Sequence, residues 1–151
     1  MSELPTGQDI LDKYQSINSL DEKGLIETKN YLFKSFRAIK QIISEEIDNN
    51  DYVVQPEKRH AEYLKYHNLV GGLFGLANSL NERISFIEYK KLTEEGRDST
   101  AKKDKLVQGD RKIYAEGAVS DLKGLLTDIE STHKNIYQRI QDLAGKIRRY
   151  H

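Results

Sequence analysis

The chain has 151 residues, enough for one domain, and no cysteine, which excludes disulfides and thiolate metal sites. Lysine plus arginine equals aspartate plus glutamate at 24 each, so the chain has no overall charge with which to coat a polyanion. A composition of 37% hydrophobic and 32% charged residues suits long helices with a narrow buried stripe and broad wet faces.

The neutral total hides an asymmetry: residues 1–88 carry 10 basic and 14 acidic side chains, residues 89–151 carry 14 and 10. The opening MSELPTGQDI has no basic region leading into an apolar core, as a signal peptide would. No apolar run nears the roughly 20 residues that span a bilayer. The expectation is a cytoplasmic protein, in the host cytoplasm if the chain is viral.

In chain order, residues 1–7 read as a flexible tail. A short helix follows from about Gln8 to Asn18, with Ile10, Leu11, Tyr14 and Ile17 on one face. Ser19, with Glu22 three residues on, has the pattern of a capping box for the next helix, which runs to about Asn49. Its stripe is Leu25, Leu32, Phe36, Ile39, Ile43 and Ile47, widened by Phe33 and Ile42. Asn49, Asn50 and Asp51 end that helix, and Val53 to Pro56 reads as extended because a residue before proline avoids α geometry.

Pro56 suits the first turn of a second long helix, from about Glu57 to Glu95. Tyr63, Tyr66, Val70, Leu73 or Phe74, Ala77, Leu80, Ile84 and Ile87 recur at alternating three- and four-residue steps, as in a coiled-coil seam. Gly71, Gly72 and Gly75 interrupt it. Each glycine costs about 1 kcal/mol against alanine inside a helix, and close helix approach, a break near Gly72 or simple tolerance are all open. EEGRDST, residues 94–100, reads as a turn, with Gly96 ending one helix and Ser99 or Thr100 capping the next.

The last helix carries the most regular seam: Ala115, Val119, Leu122, Leu126, Ile129, His133, Ile136, Ile140, Leu143, Ile147 and Tyr150. Thr100 to Ile113, ahead of it, is more polar. The expected fold is all-α, a long-helix bundle or antiparallel coiled-coil hairpin with a shorter N-terminal helix, in one domain spanning residues 1–151. A strict seam this long exceeds what one shorter partner helix covers. Leu122, Leu126, Ile129, Ile136, Ile140, Leu143 and Ile147 are therefore expected to meet a second copy in a homo-oligomer.

Between Lys90 and Lys112, eight cations face five acids. Lys90, Lys91, Arg97, Lys102, Lys103 and Lys105 are the candidate phosphate contacts, because each neutralised phosphate releases counterions. Phe86 and Tyr89 lie beside them, and aromatic faces on a basic path stack unpaired bases. An ordinary solvated turn accounts for the same residues. Lys146, Arg148 and Arg149 suit either the negative end of the helix dipole or a phosphate.

His133 on the seam reads as a packed core residue or a device fixing register. His60 and His67, seven apart with no third ligand, make a poor metal site. Asp48, Asn50 and Asp51 lack the glycine and closing glutamate of a calcium loop. No phosphate-binding loop, dinucleotide fingerprint or nucleophile elbow occurs, so no cofactor, metal or enzymatic activity is expected.

From about Leu80 onward, a basic and aromatic helix end (Arg83, Phe86, Tyr89, Lys90, Lys91) is followed by a polar loop and a threonine- and lysine-rich re-entry at Thr100 to Lys105. A long helix from Asp110 to Arg139 then ends near Ile147-Arg148. This layout resembles the phage recombination-mediator family typified by UvsY. The resemblance covers roughly the last 70 residues. It implies a small helical protein that self-associates, binds single-stranded DNA and helps load a recombinase onto strands covered by single-strand binding protein. The competing expectation is a non-enzymatic scaffold or adaptor that binds protein, such as a virion component or an inhibitor of a host defence.

Overall fold

A computed structural model of the chain describes residues 4–47, 56–98 and 120–150, and the side chains of all of these except 91–98 and 150. Four α-helices account for nearly all of them: α1 (Gly7–Ser16), α2 (Glu22–Ile42), α3 (Pro56–Asp98) and α4 (Ser120–Tyr150). A 3-10 turn, Ile17–Ser19, follows α1, and a π-helical turn, Ile43–Ile47, continues α2. There is no strand among the described residues. The expected extended stretch at 53–55, the helix end at Asn49–Asp51, the polar segment Thr100–Ile113 and seam positions Ala115 and Val119 lie outside the described residues, as does the side chain of Tyr150.

Sequence chemistry sets the helix starts. Thr6 caps α1: its hydroxyl accepts from the Asp9 amide at 3.1 Å, and the Asp9 carboxylate accepts from the Thr6 amide at 3.3 Å. Of the expected tail at residues 1–7, Pro5 is buried, Leu4 lies against the core, Thr6 is exposed and residues 1–3 lie outside the described residues. Asp21, not Ser19, caps α2, its carboxylate accepting from the Gly24 amide at 2.8 Å. The Ser19 hydroxyl instead donates to the Ser16 carbonyl at 2.8 Å and closes the 3-10 turn. Asp21→Ala is expected to cost about 1 kcal/mol. Ser19→Ala should stay within about 0.5 kcal/mol of the parent. Urea unfolding followed by circular dichroism separates the two.

The helices run up, down, up, down around α3. Arg59 at the start of α3 donates to the Ile47 carbonyl at 3.1 Å, while Ile84 and Ile87 lie beside Leu25 and Ile26, so α2 is antiparallel to α3. Thr6 and Gly7 lie beside Lys65 and Leu69, and Arg83 donates to the Asn18 carbonyl, so α1 is parallel to it. His67 faces His133 and Tyr63 faces Arg139, so α4 is antiparallel to it. Two ion pairs tie α2 to its parallel neighbour α4: Lys29 with Asp121, and Lys40 with Asp128 at 3.2 Å. Both are partly exposed and contribute at most about 1 kcal/mol each.

The apolar stripes meet at the axis of this arrangement. All six expected stripe residues of α2 and its π turn are buried, with Phe33 and Ile42 partly so. On α3, Tyr63, Tyr66, Val70, Leu73, Leu76, Ala77 and Leu80 are buried. Ile10 on α1 and Ile17 on the 3-10 turn after it are buried. Leu11 and Tyr14, expected on the same face, are exposed, because α1 touches its neighbours along one narrow line.

Leu122, Ile129, Ile136, Ile140 and Leu143 of α4 are buried within this single chain, mostly against α3, and Leu125 joins them. Leu126 and Ile147 are only partly covered. Among the described residues, the α3–α4 seam covers these side chains within one chain. The physical reason is length: α3 has 43 residues against 31 in α4, so the partner helix is the longer one.

α3 also runs unbroken through the turn expected at Gly96 and through the central glycines, where a break was one of three open readings. Gly96 lies inside it, and so do Gly71, Gly72 and Gly75. Close approach explains Gly72, and Gly71 has a looser contact of the same kind. A Cβ on Gly72 would stand 3.2 Å from Cγ2 of Ile10, and one on Gly71 would stand 3.4 Å from Nε2 of His133. At Gly75 a Cβ would meet nothing within 4 Å.

Candidate nucleic-acid interface

The register of α3 and α4 places the described start of α4 about level with Leu80, so α3 continues beyond it. Arg83, Phe86 and Lys90 occupy that continuation at steps of three and four residues. On a helix of 3.6 residues per turn they share one face.

Phe86 is 58% exposed, among the most exposed large apolar side chains described. The Arg83 guanidinium carbon lies 6.0 Å from its ring centroid, at the outer edge of cation–π range. Arg83 is itself held by its bond to the Asn18 carbonyl at 3.4 Å, so the 3-10 turn after α1 positions the cation beside the ring. Lys90 is exposed one turn further along, and Tyr89 is half-buried. An open aromatic face between two cations offers a base a stacking surface and its flanking phosphates a charge partner.

Of the six candidate phosphate contacts, Lys90 is placed here. Lys91 and Arg97 lie on α3 with side chains outside the description, and Lys102, Lys103 and Lys105 lie outside the described residues. The structure adds Arg83 to the set. Its spacing to Phe86 and Lys90 was visible in the sequence, but its tether to Asn18, 65 residues away, was not. At the other end of the bundle Lys146, Arg148 and Arg149 are exposed, and the Arg148 Nε donates to the Ala144 carbonyl at 3.4 Å, as suits cations at a helix C-terminus.

His133 is a packed seam residue whose partner is His67, stacked on it at 4.0 Å between ring centroids. His67 therefore pairs across the seam and not with His60. Among the described residues no group of three or more histidine, aspartate or glutamate side chains is placed to hold a metal ion, and no helix is long and apolar enough to cross a membrane.

A second feature is a groove of about 660 Å³ between α2 and α4, bordered by Phe33, Phe36 and Leu125 with Arg37, Lys40 and Asp128 along its rim. Comparison of the chain with protein-family models, curated proteins and solved structures gives no match.

Proposed function

We propose that this chain is a non-enzymatic accessory protein that binds single-stranded DNA during recombination. The observation that carries the DNA-binding part is the exposed Phe86 ring set between Arg83 and Lys90 at the far end of α3. The recombination context rests on the layout from Arg83 to Arg148 that resembles the mediator family. Bases in a duplex are already stacked on one another, so an open phenyl face discriminates in favour of unpaired strands. A chain of zero net charge gains its affinity from such local contacts and not from a general cationic field.

A fluorescent oligothymidine titrated at about 50 and about 200 mM salt tests the proposal, with binding that weakens as salt rises. Phe86→Ala is expected to weaken binding roughly tenfold, the low end of the cost of one lost stacking contact. Lys90→Gln should flatten the salt dependence. No binding at the lower salt, or a Phe86→Ala protein that binds as tightly as its parent, overturns it.

The adaptor reading has its own support in the α2–α4 groove, where an apolar floor and charged rims suit an amphipathic helix. It locates binding at Phe33 and Phe36 rather than at Phe86. Alanine at Phe33 therefore separates the two readings, since it lies on α2 while the DNA surface lies on the end of α3.

A further inference from the structure

Two imidazoles meet face to face in the packed seam between α3 and α4. The His67 and His133 rings are inclined by 22° at a centroid distance of 4.0 Å, and the Tyr137 ring lies 6.0 Å from His67. Gly71, one turn beyond His67, lies against the second ring: a Cβ there would stand 3.4 Å from His133 Nε2. The Nε2 of His67 is buried with no hydrogen-bond partner. A neutral ring tolerates that position, whereas a charged ring loses its water there and gains no acceptor.

The surroundings supply no compensating charge. On α4, Glu130 and Lys134 flank His133 in sequence and are paired with each other at 3.2 Å. Arg139 from α4 and Arg59 from α3 lie over the Tyr63 ring, one turn from His67, and both are cations. Two carboxylates lie near the seam but act on Tyr66: after burial, Glu62 on α3 and then Glu46 on the π-helical turn raise its hydroxyl pKa. α1 meets α3 around Lys65, Asn68, Leu69 and Gly72. Burial, and then the charge of His133, push the His67 pKa down, and no carboxylate acts against them.

We propose that the His67–His133 stack is a proton-operated latch on the α3–α4 seam, closed while both rings are neutral and forced open when both are charged. Two imidazolium ions held at this separation repel one another, and because one ring is carried by each helix the repulsion acts to part α4 from α3. That movement uncovers Ile129, Ile136 and Ile140 for another apolar surface. The unfolded histidine titrates near 6.5. Because the folded pKa of His67 lies below that, the unfolded chain takes up a proton the folded chain refuses. Stability therefore falls as pH drops through about 6.5, and the loss is complete below the folded pKa. That window lies above the range in which aspartate and glutamate titrate.

The absence of native cysteine makes the test direct. Spin labels at Ala61→Cys and Gln141→Cys, exposed positions on α3 and α4, report the helix separation in the full chain. Between about pH 7.5 and about pH 5.5 the distance distribution should lengthen and broaden. His133→Phe in the same labelled chain keeps an aromatic ring without its proton and should hold the distance constant. His133→Gln serves the same purpose if the phenylalanine does not fold. An unchanged distance in the parent, or an equal change in the variant, overturns the latch. So does a nuclear magnetic resonance titration of the unlabelled protein that finds His67 at or above the ordinary histidine pKa.

Discussion

Ile129→Asp is expected to abolish the cooperative unfolding transition. Ile129 is fully buried on α4, one turn from Leu125 and two turns from Leu122 on one side and two turns from Ile136 on the other. A carboxylate there loses its water, and the desolvation cost is several kcal/mol. The stability of a whole domain is about 5–15 kcal/mol, so one such charge consumes most or all of it. Ile129→Ala is the graded version, removing methylenes and leaving a void at a cost of about 2–5 kcal/mol. At this chain length that corresponds to a fall in Tm of roughly 6–15 °C.

The measurement is a circular dichroism melt of each variant at two protein concentrations tenfold apart. Because the seam closes within one chain, the depression should be the same at both. A Tm that recovers as concentration rises would mean that α4 meets a second copy at this seam after all.

Gly72→Leu is expected to lower stability by about 3 kcal/mol through loss of α1 from the bundle. A Cβ at this position is already 3.2 Å from Cγ2 of Ile10, and the three atoms a leucine adds beyond it press further on the same side chain. Overpacking costs about 1–3 kcal/mol, and expelling a buried isoleucine adds about 1.5–3 kcal/mol. The gain in helix propensity, about 1 kcal/mol, offsets only part of this.

Gly75→Ala is the matched control. Its methyl meets nothing within 4 Å, so propensity alone acts and stability should rise by up to about 1 kcal/mol. Urea midpoints of the two variants measured side by side test the pair. Limited proteolysis between α1 and α2 should accelerate in Gly72→Leu alone. If Gly72→Leu unfolds at the parent's midpoint, α1 does not pack on α3 through Ile10.

What could be read in advance follows the strength of the local signal. The stripe Leu25 to Ile47 was legible because apolar residues at helical spacing have one face to bury, and any neighbour serves that purpose. The cap of α2 was read two residues early because Ser19 and Asp21 both have capping chemistry. The choice between them depends on whether the chain inserts a 3-10 turn first. At Gly72 the sequence left close approach, a break and tolerance open, because glycine is costly in an isolated helix whichever of them holds. It persists because Ile10 occupies the space a side chain would have filled, a contact between residues 62 positions apart. Leu11 and Tyr14 shared the periodicity of Ile10 and Ile17, yet α1 touches α3 along too narrow a line to cover them.

The candidate site divides in the same way. Phe86 and Lys90 were visible as an aromatic beside a basic run, whereas the role of Arg83 depends on a carbonyl at Asn18 that only folding brings near. The His67–His133 stack had no sequence signal, since residues 66 positions apart meet only through the register of two antiparallel helices.

The sequence by itself determined that this chain is helical and which faces of its helices are apolar, because backbone periodicity and side-chain polarity are local properties. Only the tertiary structure decided what those faces meet. Burial is satisfied by any complementary surface, so a regular seam on α4 specifies that a partner exists without specifying whose it is. The long α3 of the same chain fills that place, with Gly72 and Gly71 shaped to the side chains that arrive against them.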